Sequence, residues 1–235
     1  AQLLANGPSM DALVPTPLYR GMEEGTLVRL EELTRMPSDV QDTLITVLSE
    51  KLLPIPELNT QIEARRGFNV IATANSHDKG VNELSSALKR RFNTVVLPLP
   101  TQAREEERIV QMRVDALGRS LELPEVLPSG EAIARVVRVF RELRGGQTED
   151  GRQKLKKPSA TLSTAEAIAV MIGGWSDAAH FGGGTIDAQS LAPALVGAIV
   201  KDPVQDRLVL QEYVETVLKS RKGWGDLYRA LRDVV

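Results

Sequence analysis

Residues 26–37 read TLVRLEELTRMP, a β-rich run that ends in two adjacent carboxylates, Glu31 and Glu32. The run from Thr26 to Glu31 follows a glycine and predicts a strand. Open α/β sheets bind ligands at the carboxyl ends of their strands, so we expect the acidic pair to lie at such an edge. There it could hold Mg²⁺ through water and polarise an attacking water, or it could be a solvated strand end.

A second strand is predicted for residues 67–74, GFNVIATA, whose apolar run is typical of a buried parallel strand. Asn75 comes directly after this run. Its side chain could orient a water or contact a γ-phosphate, although asparagine also starts turns. On the first strand Arg29 lies on the same face as Glu31, which predicts an ion pair between them.

Helical and extended segments alternate around these two strands. Periodicity from Pro37 to about Glu50 predicts a helix, and the arms Leu52–Pro56 and Gln61–Arg65 predict a hairpin. A further helix is predicted over Asn82–Arg91 and a third strand over Asn93–Pro98. This alternation indicates an α/β fold with a parallel sheet.

Two arginines, Arg90 and Arg91, end the predicted helix just before Phe92. Cations are electrostatically favoured at a helix C-terminus, which would give this pair a structural role. The other interpretation is a catalytic arginine, since charged groups at functional sites serve such roles.

The composition changes after Pro100, and the pattern becomes helical to the end of the chain. We therefore predict one domain over residues 1–100 and a second over residues 101–235. A polar segment, residues 144–158, predicts an exposed loop, and the glycine-containing segment 173–184 predicts a loop between helices. The predicted helices of this part are Gln102–Leu117, Glu131–Leu143, Ser163–Ile172, Ala188–Val200 and Val204–Lys219.

Composition limits the classes of function. The chain contains no cysteine and two histidines, so we expect neither thiolate chemistry nor a histidine-based zinc site. A net charge of -2 offers no general attraction for nucleic acid, and no apolar run is long enough for a bilayer. The first residues lack the pattern of a signal peptide, so we expect a cytoplasmic protein. Since the chain has no initiator methionine, we interpret it as a fragment.

Taken in order, these features resemble the core of AAA+ ATPases, and the resemblance is closest to the MoxR family. In that family the Walker B strand runs into a segment like DEINRAPP, the sensor 1 strand reads ATxNP, and the next helix ends in LxxALLDRF. The corresponding segments here are EELTRMP, ATANS and LSSALKRRF. The resemblance covers residues 25–100 well and the helical part only as a lid.

The resemblance implies an α/β fold, with a partial AAA+ P-loop-type parallel sheet followed by an all-helical lid domain. It implies ATP and Mg²⁺ as cofactors, with Glu31 at the Mg²⁺ position through water and Glu32 orienting the attacking water. Asn75 would be sensor 1, and Arg91 an arginine finger that reaches a neighbouring subunit, which implies a homo-hexamer. The hairpin would be the insert that precedes sensor 1 in MoxR-like proteins.

Three departures from the family pattern accompany the resemblance. No G-x-x-x-x-G-K-S/T sequence occurs, so we expect this chain alone to bind ATP poorly. Glu31 stands where the family has aspartate. The lid lacks an arginine near the start of its third helix, where the nearest cations are Lys156 and Lys157. These lysines could substitute for that arginine as nucleotide contacts or could be solvated loop residues.

Several functions remain open at this point. The leading hypothesis is a MoxR-type ATPase that remodels or matures a partner, which the resemblance implies to be a protein with a von Willebrand factor A domain. A second hypothesis keeps the fold but places the chain in another branch, either chelatase-like or clamp-loader-like. A third is a non-hydrolysing adaptor. We expect no dedicated nucleic-acid role, because neither a strongly basic surface nor a nucleic-acid module is evident.

Overall fold

The structure is a computed structural model that describes residues 7–75, 84–124 and 129–235. The chain divides into two compact units, Ala1–Leu97 and Pro98–Val235. The strands lie in the first unit, and the second unit is built from helices. Among the described residues, none of the helices combines the length and the apolar character needed to cross a bilayer.

In the described part of the first unit, four short strands form two separate sheets. Strands β1 (Leu27–Leu30) and β4 (Asn69–Ala72) pair in parallel, with Leu30 opposite Ala72. Strands β2 (Leu52–Ile55) and β3 (Thr60–Glu63) form an antiparallel hairpin. The predicted parallel pairing of the first two strands and the predicted hairpin are thus confirmed.

Helices and short 3₁₀ turns surround these strands. The longest helix of the unit, α2, follows a proline and covers the predicted range almost completely, because its apolar residues recur at helical spacing. Helix α3 is shorter than predicted, since the Ser85 hydroxyl accepts a hydrogen bond from Leu88 N at 3.1 Å and starts the helix there. The helices are α1 (Pro17–Glu24), α2 (Ser38–Glu50) and α3 (Ser86–Lys89), and the turns are Met10–Ala12, Leu33–Arg35 and Pro56–Leu58.

Two small apolar clusters stabilise the first unit. One lies between α1, α2 and the parallel strands, and the other joins the turn after β1 to α2 and α3. Burial of each large aliphatic side chain contributes roughly 1.5–3 kcal/mol, so clusters of this size give a modest core. The buried members are Met22, Val28, Val47 and Phe68 in the first cluster, and Leu33, Leu44 and Leu88 in the second.

The predicted third strand, Asn93–Pro98, is wrong. This segment has no regular secondary structure, and its apolar side chains Val95, Val96 and Leu97 are 77%, 83% and 87% exposed. A strand requires a neighbouring strand to satisfy its backbone groups. Within the described ranges no strand pairs with this segment, so its β-propensity alone does not produce a strand.

The second unit is helical, as expected from its periodicity. Helix α6 begins with a capping box between Ser163 and Glu166, which satisfies backbone donors at the start of the helix. One large cluster of buried apolar residues joins the helices. They are α4 (Ala103–Ser120), α5 (Gly130–Gly145), α6 (Thr164–His180), α7 (Ala188–Ile199), α8 (Gln205–Tyr213), a π-helical turn (Val214–Leu218) and α9 (Gly225–Val234).

The predicted loop over residues 173–184 is also wrong for most of its length, because α6 continues to His180. Trp175 is buried in the core and donates a hydrogen bond from Nε1 to the carbonyl of Pro124 at 2.8 Å. Gly174 allows α7 to approach, since a Cβ there would lie 2.6 Å from Cδ2 of Leu191. Packing therefore outweighs the low helix propensity of the glycines.

A fully buried carboxylate, Glu106, ties three helices of the second unit together. Its oxygens accept hydrogen bonds from Arg144 Nη2 at 2.8 Å, Arg141 Nη1 at 3.0 Å and the Thr164 hydroxyl at 2.9 Å. The predicted exposed loop begins at Arg144, but this residue belongs to α5 and is 13% exposed. Its pairing with Glu106 explains the difference, because a buried arginine needs a carboxylate partner.

Candidate functional site

The carboxyl ends of β1 and β4 meet at one edge of the parallel sheet. The backbone pairing continues beyond both strands, with Thr73 N donating to Leu30 O at 2.9 Å and Leu33 N donating to Thr73 O at 2.8 Å. The residues that follow the two strands, Glu31 and Glu32 on one side and Thr73 on the other, are therefore held side by side. Such an edge is where open α/β sheets bind ligands.

The Thr73 hydroxyl connects the two carboxylate residues. It donates a short hydrogen bond to Oε2 of Glu31 and accepts one from the backbone N–H of Glu32 at 3.1 Å. A single side chain thus fixes the Glu31 carboxylate and the Glu32 backbone. The sequence patterns do not identify Thr73 as a site residue; the signal that points to it is its position two residues before Asn75.

Glu32 adopts the left-handed backbone conformation, with φ 53° and ψ 50°. This conformation costs a residue with a Cβ roughly 1–2 kcal/mol and is uncommon outside glycine and asparagine. The hydrogen bond to Thr73 supports it, and the side chain forms an ion pair with Nε of Arg35. The Glu32 side chain is 60% exposed, so its carboxylate can be reached by water and ligands.

Glu31 carries the ion pair expected from strand alternation. Nη2 of Arg29 lies 2.6 Å from Oε1 of Glu31, and the two side chains are 72% and 50% exposed. A half-exposed carboxylate at a sheet edge is the type of hard oxygen donor that Mg²⁺ prefers. Because Mg²⁺ retains most of its water and takes few protein ligands, the longer side chain of glutamate fits a water-mediated contact.

Asn75 lies at the same edge through its backbone. The Thr34 hydroxyl, in the turn after β1, donates to the carbonyl of Asn75 at 3.5 Å, and the Asn75 side chain is exposed. The sheet edge therefore brings together the segments that contain Glu31, Glu32 and Asn75. Residues 76–83, which follow Asn75 and include the start of the predicted helix, lie outside the described residues.

Arg91 follows helix α3 and is exposed. Its Nε donates to the Ser49 hydroxyl at 2.6 Å, and its Nη1 donates to the carbonyl of Ala87 at 2.7 Å. These contacts hold the guanidinium beside the last turn of α2. An exposed arginine held in one position is suited to meet a group from outside its own chain, such as a phosphate.

The two lysines predicted as nucleotide contacts lie in the loop before α6. Lys156 Nζ lies 2.7 Å from Oε2 of Glu212, in an ion pair whose side chains are 71% and 47% exposed. Lys157 is also exposed, and its side chain lies over Gly146, where a Cβ would be 2.7 Å from Lys157 Cε. Lys156 therefore has a partner within the helical unit.

Two family descriptions match the chain, one for each part. Residues 3–92 match an AAA domain of the dynein-related subfamily. Residues 124–235 match a YehL-like AAA+ ATPase C-terminal domain. The parallel sheet of the first unit and the helices of the second agree with this arrangement.

Two curated relatives are similar to this chain. Uncharacterized protein YehL of Escherichia coli is 40% identical over 242 residues, which cover 98% of this chain and 64% of the relative. Protein NorQ of Paracoccus denitrificans is 28% identical over 137 residues, which cover 57% of this chain and 47% of that protein. The chain thus spans less than two thirds of the length of either relative, and its similarity is to AAA+ ATPases.

Proposed function

We propose that this chain, which has the fold of an AAA domain followed by the helical C-terminal part of an AAA+ ATPase, supplies the hydrolytic side of an ATP site. The observation that carries the proposal is the meeting of Glu31, Glu32 and Asn75 at the carboxyl edge of one parallel sheet. Carboxylates and an amide at such an edge can orient water against a phosphate.

Each of these side chains has a distinct role in the proposed site. Glu32 accepts a hydrogen bond from the attacking water and orients it, and Asn75 holds that water or the γ-phosphate. Glu31 holds Mg²⁺ through water. Mg²⁺ bound there would supply positive charge against the phosphates. Thr73 keeps Glu31 and the Glu32 backbone in place through its hydroxyl.

The proposal concerns the protein that contains this chain, since the chain has no G-x-x-x-x-G-K-S/T sequence to hold the phosphates. The ATP site also requires a cation that stabilises the negative charge developing on the transferred phosphate. We assign that role to Arg91 of a neighbouring subunit. In a closed ring each subunit can supply this arginine to the next, and a homo-hexamer is the ring that we propose. Light scattering of the ATP-bound protein should show the ring, and a monomer under all nucleotide conditions would contradict it.

We further propose that the protein is a MoxR-type ATPase that uses hydrolysis to remodel a partner protein. The similarity to Protein NorQ and the hairpin β2–β3 between the two site strands support this branch. A partner with a von Willebrand factor A domain is the expected client. Stimulation of ATP turnover by such a purified partner would support the assignment, and an unchanged turnover with every partner of this class would contradict it.

A glutamine substitution at Glu32 tests the central role directly. Glu32→Gln keeps the size of the side chain but removes the charge that orients water, so ATP turnover should fall at least about 100-fold while ATP binding is retained. Glu57→Gln, at the exposed tip of the hairpin, is the matched control and should keep wild-type turnover. Equal turnover in wild-type and Glu32→Gln proteins would remove Glu32 from the mechanism.

A further inference from the structure

Both carboxylates of the candidate site have an arginine partner. Arg29 pairs with Glu31 from the same strand, and Arg35 pairs with Glu32 from the following 3₁₀ turn. All four side chains are at least half exposed, so the pairs form even though water could solvate each charged group. The negative charge expected to attract a cation is therefore already neutralised by the chain itself.

The contacts of Glu31 show which groups a metal ion would meet. Its Oε1 faces Nη2 of Arg29 at 2.6 Å, and its Oε2 accepts the Thr73 hydroxyl. Each carboxylate oxygen can accept a second hydrogen bond, so a Mg²⁺-bound water would donate to one of them beside its present partner. Thr73 also holds the Glu32 backbone, whereas Arg29 is 72% exposed and can rotate into solvent.

We propose that Arg29 is an internal competitor of Mg²⁺ at Glu31 and thereby sets the Mg²⁺ concentration at which the protein binds nucleotide. The inference rests on the proposed metal role of Glu31. It adds a residue whose charge opposes the metal, so that half-filling of the site requires a higher Mg²⁺ concentration than it would without the guanidinium.

The weakness of the pair indicates that Arg29 adjusts the affinity for Mg²⁺ and does not prevent Mg²⁺ from binding. Exposed ion pairs are weak, so displacing Arg29 changes the apparent affinity for Mg²⁺ only a few-fold. A cation that remains near Glu31 also repels Mg²⁺, which adds to the effect. Together these terms amount to a shift of roughly fivefold in the Mg²⁺ midpoint.

The test measures binding rather than turnover. Affinity for a fluorescent ATP analogue is determined over a range of Mg²⁺ concentrations for the gene product that contains this chain. Arg29→Gln should lower the Mg²⁺ midpoint roughly fivefold, and Arg29→Lys, which keeps the charge, should retain most of the wild-type midpoint. Arg152→Gln removes a comparable exposed pair with Asp150 in the helical unit and should change nothing.

The outcomes distinguish the Arg29 proposal from the ATPase proposal. A midpoint in Arg29→Gln that equals or exceeds the wild-type value would overturn the competition while leaving the ATPase proposal intact. An Arg29→Lys protein that behaves like Arg29→Gln would also overturn it, because charge would then not be the cause. Nucleotide binding that is independent of Mg²⁺ in the wild-type protein would instead overturn the metal role of Glu31.

Discussion

The acidic residues at the sheet edge of the first unit and the buried acidic residues of the second unit have opposite surroundings. In the first unit, Glu31 and Glu32 are at least half exposed at a sheet edge and are held by a threonine and by surface arginines. In the second unit, Glu106 and Glu142 are 0% and 2% exposed and are surrounded by arginines and hydroxyls that satisfy them. The two carboxylates of the sheet edge are therefore accessible for chemistry, whereas Glu106 and Glu142 stabilise the packing of helices.

The largest effect is expected from the buried carboxylate of the second unit. Glu106→Gln should lower the free energy of unfolding by about 3 kcal/mol, because it leaves two arginines without the charge that compensates them. Chemical denaturation monitored by circular dichroism measures the change. The control is Glu105→Gln on the same helix, which is exposed and should remain close to wild type. A Glu106→Gln protein as stable as this control would show that the cluster does not stabilise the unit.

A smaller effect, on activity rather than stability, is expected at Thr73. Thr73→Val removes the hydroxyl that joins Glu31 to the Glu32 backbone, and turnover should fall about tenfold, the equivalent of one lost hydrogen bond to a charged group. Thr73→Ser keeps the hydroxyl and should restore most of the rate. Steady-state kinetics should show the loss in kcat rather than in KM. If the valine and serine variants were equally active, the hydroxyl would have no positioning role.

The buried Glu106 carboxylate also predicts how stability depends on acid. Burial acts to raise the pKa of Glu106, but hydrogen bonds from Arg144, Arg141 and Thr164 outweigh it, and the pKa lies below its ordinary value of 4.5. A folded-state pKa below the unfolded value means that the stabilisation is complete above pH 4.5 and is lost as the pH falls through the folded value. Denaturation curves below pH 4.5 should therefore show falling stability, and Glu106→Gln should flatten this dependence.

Tyr213 predicts the opposite dependence, a loss of stability in alkaline solution. This change in stability is the smallest of the expected effects under ordinary conditions. Burial, together with the negative charge of Glu142, raises the pKa of the Tyr213 phenol well above its ordinary value of 10.0. A raised folded-state pKa means that the stabilisation is present below pH 10 and is lost as the pH rises further. Tyr213→Phe should reduce the loss of stability above pH 10. An identical alkaline limb in both proteins would remove this tyrosine as its source.

Much of the first unit could be predicted because local patterns determine it. An apolar run that ends in carboxylates predicts a strand and its exposed edge, which is why the parallel pairing of β1 and β4 was foreseen. The role of Thr73 was not foreseen, because the partner of a hydroxyl depends on the register between strands. The strand prediction for residues 93–98 is wrong for a related reason, since strand formation depends on a neighbouring strand and not on propensity alone.

In the second unit, helix periodicity was informative, but tertiary contacts decided the details. The continuation of α6 through residues 173–180 depends on Trp175 entering the core and on α7 packing against Gly174. The burial of Glu106 depends on three helices meeting, which no sequence spacing specifies. The catalytic roles of Glu31, Glu32, Asn75 and Arg91 stay predictions, as do the nucleotide contacts of Lys156 and Lys157.

The most direct test of the account is complementation between two inactive subunits. Glu32→Gln and Arg91→Ala are each expected to abolish turnover alone, the first by removing the group that orients water and the second by removing the cation offered to a neighbour. When the two are co-expressed, an Arg91→Ala subunit that receives the intact arginine of a Glu32→Gln neighbour has a complete site. Random assembly should restore about a quarter of wild-type ATP turnover. Mixed assemblies that form but remain inactive would contradict a hydrolytic site shared between Glu32 of one subunit and Arg91 of the next.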